Sequence, residues 1–556
     1  MTTRPLVRPR GLWRPALVRP SSQRWLRLDW PQTAASARVL PGSGRAQLQP
    51  CAGRAALSTA APVEPASKVP SEYTALPRTV GDLLAAGADL VGSKVVVHGW
   101  VRTVRRQKRI AFAAVSDGST SQAAQIVFLQ PELAQGLSMG ASVRIAGSWV
   151  ASTGAGQSYE LQAETVDVLG ECDPETFPLQ KKFQNMETMR RTVPALRWRS
   201  MQMSSILQMR SSAMAGLTNY FNSADFVQTS PPVITGSDCE GAGEVFEVTT
   251  SEDRARPAAD DELFFGKQTY LTVSTQLHLE ALAMAVSRVW TLAPTFRAEK
   301  SLTNRHLSEF WMLEAEMAFT EDLDSVLTVA ESMIKSTVGY MRETGAADRF
   351  FETRALVDKL NKGDHAARED IDTAELRARW DVLSSPERWP QITFHDAVDV
   401  LQQAVADGKV EFPVPPRHNE AIGSKHEKWL AKHWAKGPVF VTHYPAHLKP
   451  FYMLPTAAPG RQYENTVECF DLLLPDLGEL IGGSLRESDA GRLEEAVAAA
   501  GIRPDDISWY IDLRRWGTVP HGGFGMGFER LLCYLAGVEN VREVIAFPRW
   551  TQHCVC

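Results

Sequence analysis

Much is missing from this chain of 556 residues, and each absence removes a class of answers. No CxxC pair occurs. The seven cysteines, Cys51, Cys172, Cys239, Cys469, Cys533, Cys554 and Cys556, are odd in number and mostly far apart. That pattern excludes a disulfide framework and points to free thiols in a reducing compartment. The closing Cys554-Val-Cys556 offers two soft ligands, too few to close a metal site. No run of 18 or more apolar residues exists, so no membrane-spanning helix and no membrane partner are expected. No GxxxxGK[ST] phosphate loop is present. Strong net charge is also lacking, at −6 overall. A nucleic-acid partner would therefore be held by a local basic patch. What remains is a composition ordinary for globular proteins, with 44% hydrophobic and 22% charged residues, and room for two or three domains.

The first sixty residues lack acid. Asp29 is the only one, lysine is absent, and arginines from Arg4 to Arg54 alternate with Ser, Ala and Pro. Residues 1–65 therefore read as a disordered mitochondrial transit peptide. A plastid address, dual targeting or a basic tail touching RNA would share this composition.

Short strands follow. Val95 to Val101, Ile110 to Val115, Gln125 to Leu129, Val143 to Val150 and Leu161 to Val168 are separated by turn residues such as Asp117-Gly118. Five short strands in so little chain suggest an OB-fold barrel, and we expect that domain over residues 80–172. Arg102, Arg105, Arg106, Lys108 and Arg109 precede Phe112, which combines cations for phosphates with a ring that can stack a base. A solvated loop beside a core Phe is the plain alternative. A hinge is expected over residues 173–195. After it, Ile206, Met209, Ala213, Leu217 and Tyr220 mark an amphipathic helix.

Three segments of the remaining chain carry chemistry. The first runs from Phe226 through Pro231, Pro232, Asp238 and Glu240 to Glu244. The second is Phe296-Arg297-Ala-Glu299 continuing through Arg305-His306 to Glu309-Phe310. The third is Gly522-Gly-Phe-Gly-Met-Gly527-Phe528-Glu529-Arg530. An arginine with an acid two residues later puts both on one face of a strand. A second arginine opens a helix after a glycine-rich strand, where bare backbone admits a ligand. Two fixed guanidiniums suit a triphosphate.

These segments resemble motifs 1, 2 and 3 of class II aminoacyl-tRNA synthetases. Barrel, hinge and catalytic domain in that order resemble the aspartyl/asparaginyl/lysyl subgroup. Within it, Ser237 to Glu244, Phe265-Gly-Lys267, Gln276-Leu-His-Leu-Glu280, Phe470-Asp471 through Glu479 to Arg486, and Phe547-Pro-Arg-Trp550 look like asparaginyl-tRNA synthetases. The resemblance implies an α+β chain: an N-terminal OB-fold barrel, then a class II catalytic domain over residues 196–556, an antiparallel sheet flanked by helices. It also implies a homodimer, with Pro232 near the interface. Residues of about 345–437 resemble nothing in particular and read as a helical insertion that gives support, with a solvated helix pair in its middle. Pro231, where the family usually has Thr, departs from the pattern.

The resemblance also assigns roles. Arg297 would hold the α-phosphate and the amino acid's carboxylate, and Arg530 the γ-phosphate and one face of adenine. Phe310 would stack on the other face. Glu299 would fix adenine or the acceptor end, and Arg305 and His306 would meet that end beside the nucleotide. Asp471 and Glu479 match magnesium carboxylates, so Mg²⁺ and ATP are the expected cofactor and co-substrate. L-asparagine would be bound by Glu240, Gln276, Glu280, Arg297 and Arg486. Arg105, Phe112 and Gln125 align with residues at the anticodon of the partner, tRNA(Asn). The substrate expectation rests on charge. Aspartyl enzymes place a lysine where Leu279 stands, and Glu280 would accept from a side-chain amide while Arg486 donates to its oxygen. An aspartyl enzyme and a catalytically silent RNA-binding paralogue are the alternatives. The second predicts damage at Arg297, Arg530, Asp471 or Glu479, and all four are intact.

Overall fold

The computed structural model describes residues 76–154, 156–180, 185–236, 245–255, 263–360, 371–457 and 460–556. The leader expected over residues 1–65 and Glu240 lie outside them.

A short helix, α1 (Val80–Ala86), opens the described chain with a capping box: Thr79 accepts from the Asp82 amide and Asp82 accepts from Thr79. Five strands follow, β1 (Lys94–Arg106), β2 (Ala111–Ser116), β3 (Ala124–Phe128), β4 (Ser142–Ala151) and β5 (Tyr159–Gly170). They close a barrel in the order β1-β2-β3-β5-β4. Alternate residues Val95, Val97, Ala111, Ala113, Val115, Val143 and Ile145 fill its interior. β1 is longer than the apolar run alone suggests. The basic residues Arg102 to Arg106 stay in strand because β2 pairs with them, past a register shift between Val101 and Thr103.

Helices α2 (Met186–Thr192) and α3 (Met201–Ser223) cross to the catalytic body. Ser200 caps α3, accepting from the Met203 amide. Small strands β6 (Val227–Gln228), β7 (Ile234–Thr235), β8 (Glu247–Val248) and β9 (Thr269–Leu271), with α4 (Ser251–Ala255), lead to α5 (Gln276–Val286). Then come β10 (Arg288–Phe296), β11 (Glu309–Ala318), α6 (Leu323–Glu343), α7 (Ala346–Leu360) and α8 (Thr373–Leu383). β12 (Gln391–Thr393), α9 (Phe394–Ala406), α10 (Ser424–Trp429) and β13 (Val439–Thr442) precede the long hairpin β14 (Cys469–Leu474) and β15 (Gly478–Leu485). α11 (Ala490–Ala499), α12 (Ser508–Arg515), β16 (His521–Gly527) and α13 (Phe528–Ala536) complete the body.

Eight strands form one sheet, ordered β12-β13-β14-β15-β16-β11-β10-β6. Its interior pairings are antiparallel, and only the outer pairs β12–β13 and β10–β6 are parallel. Helices α3, α6 and α13 cover its hydrophobic face through Met209, Leu217, Phe221, Val326, Ile334, Leu531 and Leu535. The region expected as a supporting insertion is more deeply built in than its charged sequence suggests. Phe350, Phe351, Leu376 and Trp380 of α7 and α8 belong to the main core, so that pair is not simply solvated. β12 adds a strand to the catalytic sheet itself. No helix among the described residues is long and apolar enough to cross a membrane.

Candidate active site

The site is built on the exposed face of β10, β11, β15 and β16. Register does most of the placing. Glu314 sits opposite Gly525 and Glu316 opposite Gly523. Gly482 and Ser484 flank the same glycines from β15. With period two, Met312, Glu314 and Glu316 share one face. Gly523 is needed there, since a Cβ would lie 2.0 Å from Glu316 Oε2 and 2.2 Å from the Ala315 carbonyl.

Two adjoining cavities open over this floor. The first, about 220 Å³, is lined by Arg297, Glu299, Arg305, His306, Phe310, Glu479 and Arg530. The second, about 290 Å³, is lined by Ser274, Gln276, Leu279, Glu314, Glu316, Lys449, Asp471, Glu479 and Arg486. Arg297, Met312, Glu479 and Gly525 line both, so a ligand spanning them would pass Arg297. A larger cavity of about 790 Å³ lies between the barrel and α3, away from these residues.

In the first cavity Arg297 and Arg530 stand at long range from their neighbouring carboxylates. Arg297 Nη1 stands 3.9 Å from Glu299 Oε1, with its guanidinium 5.8 Å from the centre of the Phe310 ring. His306 Nε2 lies 3.1 Å from Glu299 Oε2. Arg530 Nη1 donates to the Glu479 carbonyl at 3.2 Å and is 3.6 Å from its carboxylate. Arg305 is held by the Ser424 hydroxyl of α10. From the same helix, Glu427 accepts from the Glu479 amide at 3.2 Å. Burial, reinforced by the Glu479 charge, pushes the Glu427 carboxyl up to about 7. The region expected as an insertion thus brings two polar side chains, Ser424 and Glu427, to the site, and no motif marks either of them.

The second cavity is the reverse, with its charges locked. Arg486 forks onto Glu316, Nε to Oε1 at 3.1 Å and Nη2 to Oε2 at 2.9 Å, while Nη1 donates to Ser484 Oγ at 2.8 Å. Lys449 Nζ donates to both Asp471 oxygens, at 2.9 and 2.8 Å. Glu314 accepts from the Thr275 amide and from the Ser274 and Thr275 hydroxyls.

Glu280 requires a correction. It is fully buried and does not line the cavity. Its Oε1 accepts from Tyr510 Oη and Gln276 Nε2, both at 3.0 Å, and its Oε2 from Arg514 Nη2 at 2.7 Å, with His521 Nε2 at 3.1 Å. Burial alone would raise its pKa. Arg514, His521 and Arg486 outweigh that and hold it well below the carboxylate range. The direct contact with a ligand amide expected of Glu280 is not made by this geometry: the carboxylate stands behind Gln276 and Arg486, which do line the cavity. Lys449, Tyr510, Arg514 and His521 were all missed. Tyr510 and Arg514 lie four apart on α12, a same-face spacing that was available as a signal.

Asp471 and Glu479 fit a hard cation in part. A Cβ on Gly482 would lie 3.5 Å from an oxygen of each, so the two acids flank the same bare stretch of β15. Oxygen donors alone suit Mg²⁺. Both Asp471 oxygens already accept from Lys449, which leaves Glu479 the freer donor.

On the barrel, Arg105 pairs with Phe112, and Phe112 with Val127. Ala114 pairs with Gln125 in a nearby row. Directly paired residues share a face. Arg105, Phe112 and Gln125 therefore stand together on the outside of the barrel, away from the interior set by Ala111 and Ala113.

Known proteins agree with this architecture. Residues 186–551 match the family of tRNA synthetases class II (D, K and N), and residues 95–169 match the OB-fold nucleic acid binding domain. An asparagine–tRNA ligase of Nostoc sp. is 42% identical, over 86% of this chain and 99% of its own. A mitochondrial asparagine–tRNA ligase of Schizosaccharomyces pombe is 41% identical, over 82% and 94%. A crystal structure of asparaginyl-tRNA synthetase from Pyrococcus horikoshii, complexed with asparaginyl-adenylate, superposes with a TM-score of 0.70 at 27% identity, covering 86% of this chain and 99% of that one. With an anticodon-type barrel joined to a glycine-floored site between two arginines, the chain belongs to the class II tRNA synthetases of the D, K and N group.

Proposed function

We propose that this chain ligates L-asparagine to tRNA(Asn) at the expense of ATP, through an asparaginyl-adenylate, for translation in the mitochondrial matrix. One observation carries the choice of amino acid. The carboxylate-binding edge of Arg486 is already taken by Glu316, and Leu279 offers no second cation. A side-chain carboxylate would enter beside Glu316 while Arg486 is paired with Glu316 and Lys449 with Asp471, at a cost of several kcal/mol. A side-chain amide needs only donors for its oxygen and acceptors for its nitrogen, and Arg486 retains N–H groups for the oxygen.

In the first step a carboxylate oxygen of asparagine attacks the α-phosphorus of ATP. The new O–P bond forms as the bond to the β-phosphate breaks, and pyrophosphate leaves. Charge grows on the α-phosphoryl oxygens, so positioning and charge stabilisation dominate. Arg297, common to both cavities, is the group beside that oxygen. Arg530 takes the far phosphate and Phe310 the adenine face. Mg²⁺ held by Glu479, with Asp471 steadied by Lys449, would neutralise phosphate charge. In the second step a hydroxyl of the terminal ribose attacks the acyl carbon and AMP departs, its phosphate oxygen taking the proton. Arg105, Phe112 and Gln125 receive the anticodon at the other end of the molecule.

Two finer readings go with this. The sheet ends at β6, where Val227, Pro232 and Ile234 are exposed, and that edge is the homodimer contact; sedimentation of a Val227→Lys variant as a monomer would support it. The arginine-rich leader and the mitochondrial relatives support the address. Residues 1–65 fused to a fluorescent protein should enter mitochondria, and plastid or diffuse fluorescence would count against it. ATP–pyrophosphate exchange tests the substrate, with asparagine and aspartate offered separately. Equal exchange with aspartate would favour the aspartyl alternative.

A further inference from the structure

The last residues of the chain fold back beneath the loop that joins β10 to β11. The Ser308 amide donates to the Arg549 carbonyl at 2.7 Å, and the Val541 amide to the Asn304 carbonyl at 3.0 Å. Arg542 Nη2 donates to the Thr303 carbonyl at 3.0 Å. Val541 also lines the first cavity, so the tail borders the loop that carries Arg305 and His306.

On this border stands a stack of rings. The Trp550 ring has the Arg542 guanidinium 4.4 Å and the Arg190 guanidinium 5.2 Å from its centre. His553 lies parallel to Trp550, ring centres 3.5 Å apart and planes 16° apart. Among the described residues, Trp550 is the one ring that His553 meets. Its neighbours Gln552 and Cys554 are exposed. Burial, then Arg190, Arg542, Arg549 and Arg191, keep the His553 ring below its ordinary range, so it is a neutral plate within a cluster of guanidiniums. A flat neutral ring backed by cations is suited to an unpaired base with a phosphate on either side. The tail is closed through the backbone, with Trp550 and His553 exchanging N–H to carbonyl bonds at 3.2 and 2.9 Å, and by Arg549, which donates to the Phe547 and Val555 carbonyls at 2.7 and 3.0 Å, so the two side-chain rings are not what holds it.

We propose that the Trp550–His553 stack receives an unpaired base of the tRNA acceptor end, and so guides the terminal ribose under the loop toward Arg297. This rests on the reading that the chain charges tRNA. The test uses the full-length chain with two variants, His553→Ala and His553→Phe. Readouts are the KM for tRNA in aminoacylation and ATP–pyrophosphate exchange with asparagine, which needs no tRNA. His553→Ala should raise the KM for tRNA by about 5- to 100-fold, the value of one stacked base, with exchange unchanged. His553→Phe, which keeps a plate, should stay within about threefold of the parent chain. An unchanged KM in His553→Ala overturns the proposal. So does exchange falling in step with charging, which would make the stack a prop for the loop. A parent chain that runs exchange but charges no tRNA would overturn this proposal together with the tRNA reading, and is told apart by needing no variant.

Discussion

Replacing Glu280 by Gln separates two accounts of how the amino acid is chosen. If Glu280 touched the ligand, the variant would fold normally and lose its preference between amide and carboxylate. The geometry predicts otherwise. Both carboxylate oxygens are committed, to Arg514, Tyr510 and His521 inside the protein and to Gln276 at the cavity wall. The change removes one charge of a buried pair and turns an amide N–H toward donors, and breaking such a pair costs about 3–5 kcal/mol. Over a catalytic body of this size that corresponds to a fall in apparent melting temperature of roughly 5 °C. Acid dependence gives a second handle. Glu280 has a depressed pKa in the fold, so its contribution is present above the unfolded carboxylate pKa of about 4.5 and fades as pH falls below it. The variant should therefore lose stability at pH 7, and the gap to the parent should narrow as pH falls below about 4.5, closing only when pH passes the depressed folded pKa. Differential scanning fluorimetry across pH reads the first effect, and exchange with asparagine and aspartate the second. The KM for asparagine should rise through displaced Gln276 and Arg486. A variant with parental melting temperature that now activates aspartate would refute the reasoning, because only direct contact could produce it.

Three other outcomes are expected. Arg297→Ala should cut exchange on the order of 10²–10³-fold with little effect on melting, the usual loss when a fixed donor to a developing charge is removed. Phe112→Ala on the barrel face should raise the KM for tRNA by roughly 5- to 100-fold and leave exchange untouched; a change in exchange would mean that the barrel has been damaged. Gly523→Ala should fail to give folded protein or lose well over about 1–3 kcal/mol, since its Cβ would strike Glu316 and the Ala315 backbone; circular dichroism and thermal melting read it.

The barrel was legible because turn residues separate its apolar runs, and the period-two alternation survives in β2 and β4 and in the first half of β1, though not in β3, where Ile126, Val127 and Phe128 are all buried. The eight-stranded sheet was not legible from pattern. β6 and β12 are two and three residues long, and β14 and β15 read as continuous apolar or glycine-rich runs without alternation. Resemblance supplied that fold. Site residues were legible where several chemical groups sit close in sequence, as in the segments around Arg297, Glu479 and Arg530. Lys449, Glu427 and Arg514 were not, because each reaches the site from a separate element and is marked only by the partner it finds. Glu280 shows the opposite error. Sequence gave its charge and its neighbourhood, but whether a side chain on α5 faces the cavity or the core behind it depends on how α5 seats against α12 and β16, which a helix's own spacing does not contain.

The two cavities divide their charges in a way that explains how selectivity and catalysis coexist. Charge-assisted pairs at about 2.7–2.9 Å are strong and fixed. Arg514–Glu280 at 2.7 Å and Arg486–Glu316 at 2.9 Å are of this kind, and both are out of water. Arg297–Glu299 at 3.9 Å and Arg530–Glu479 at 3.6 Å are not, and those side chains are about a third exposed. An arginine that must grip a phosphate has to leave its resting carboxylate cheaply, and a longer, wetter pair is cheap to leave. An arginine that distinguishes amide from carboxylate must not move, because a guanidinium free to swing would neutralise the wrong ligand. Loosening Arg486 from Glu316, by Glu316→Gln, should therefore do what Glu280→Gln does not: free a full cation inside the second cavity and let aspartate in.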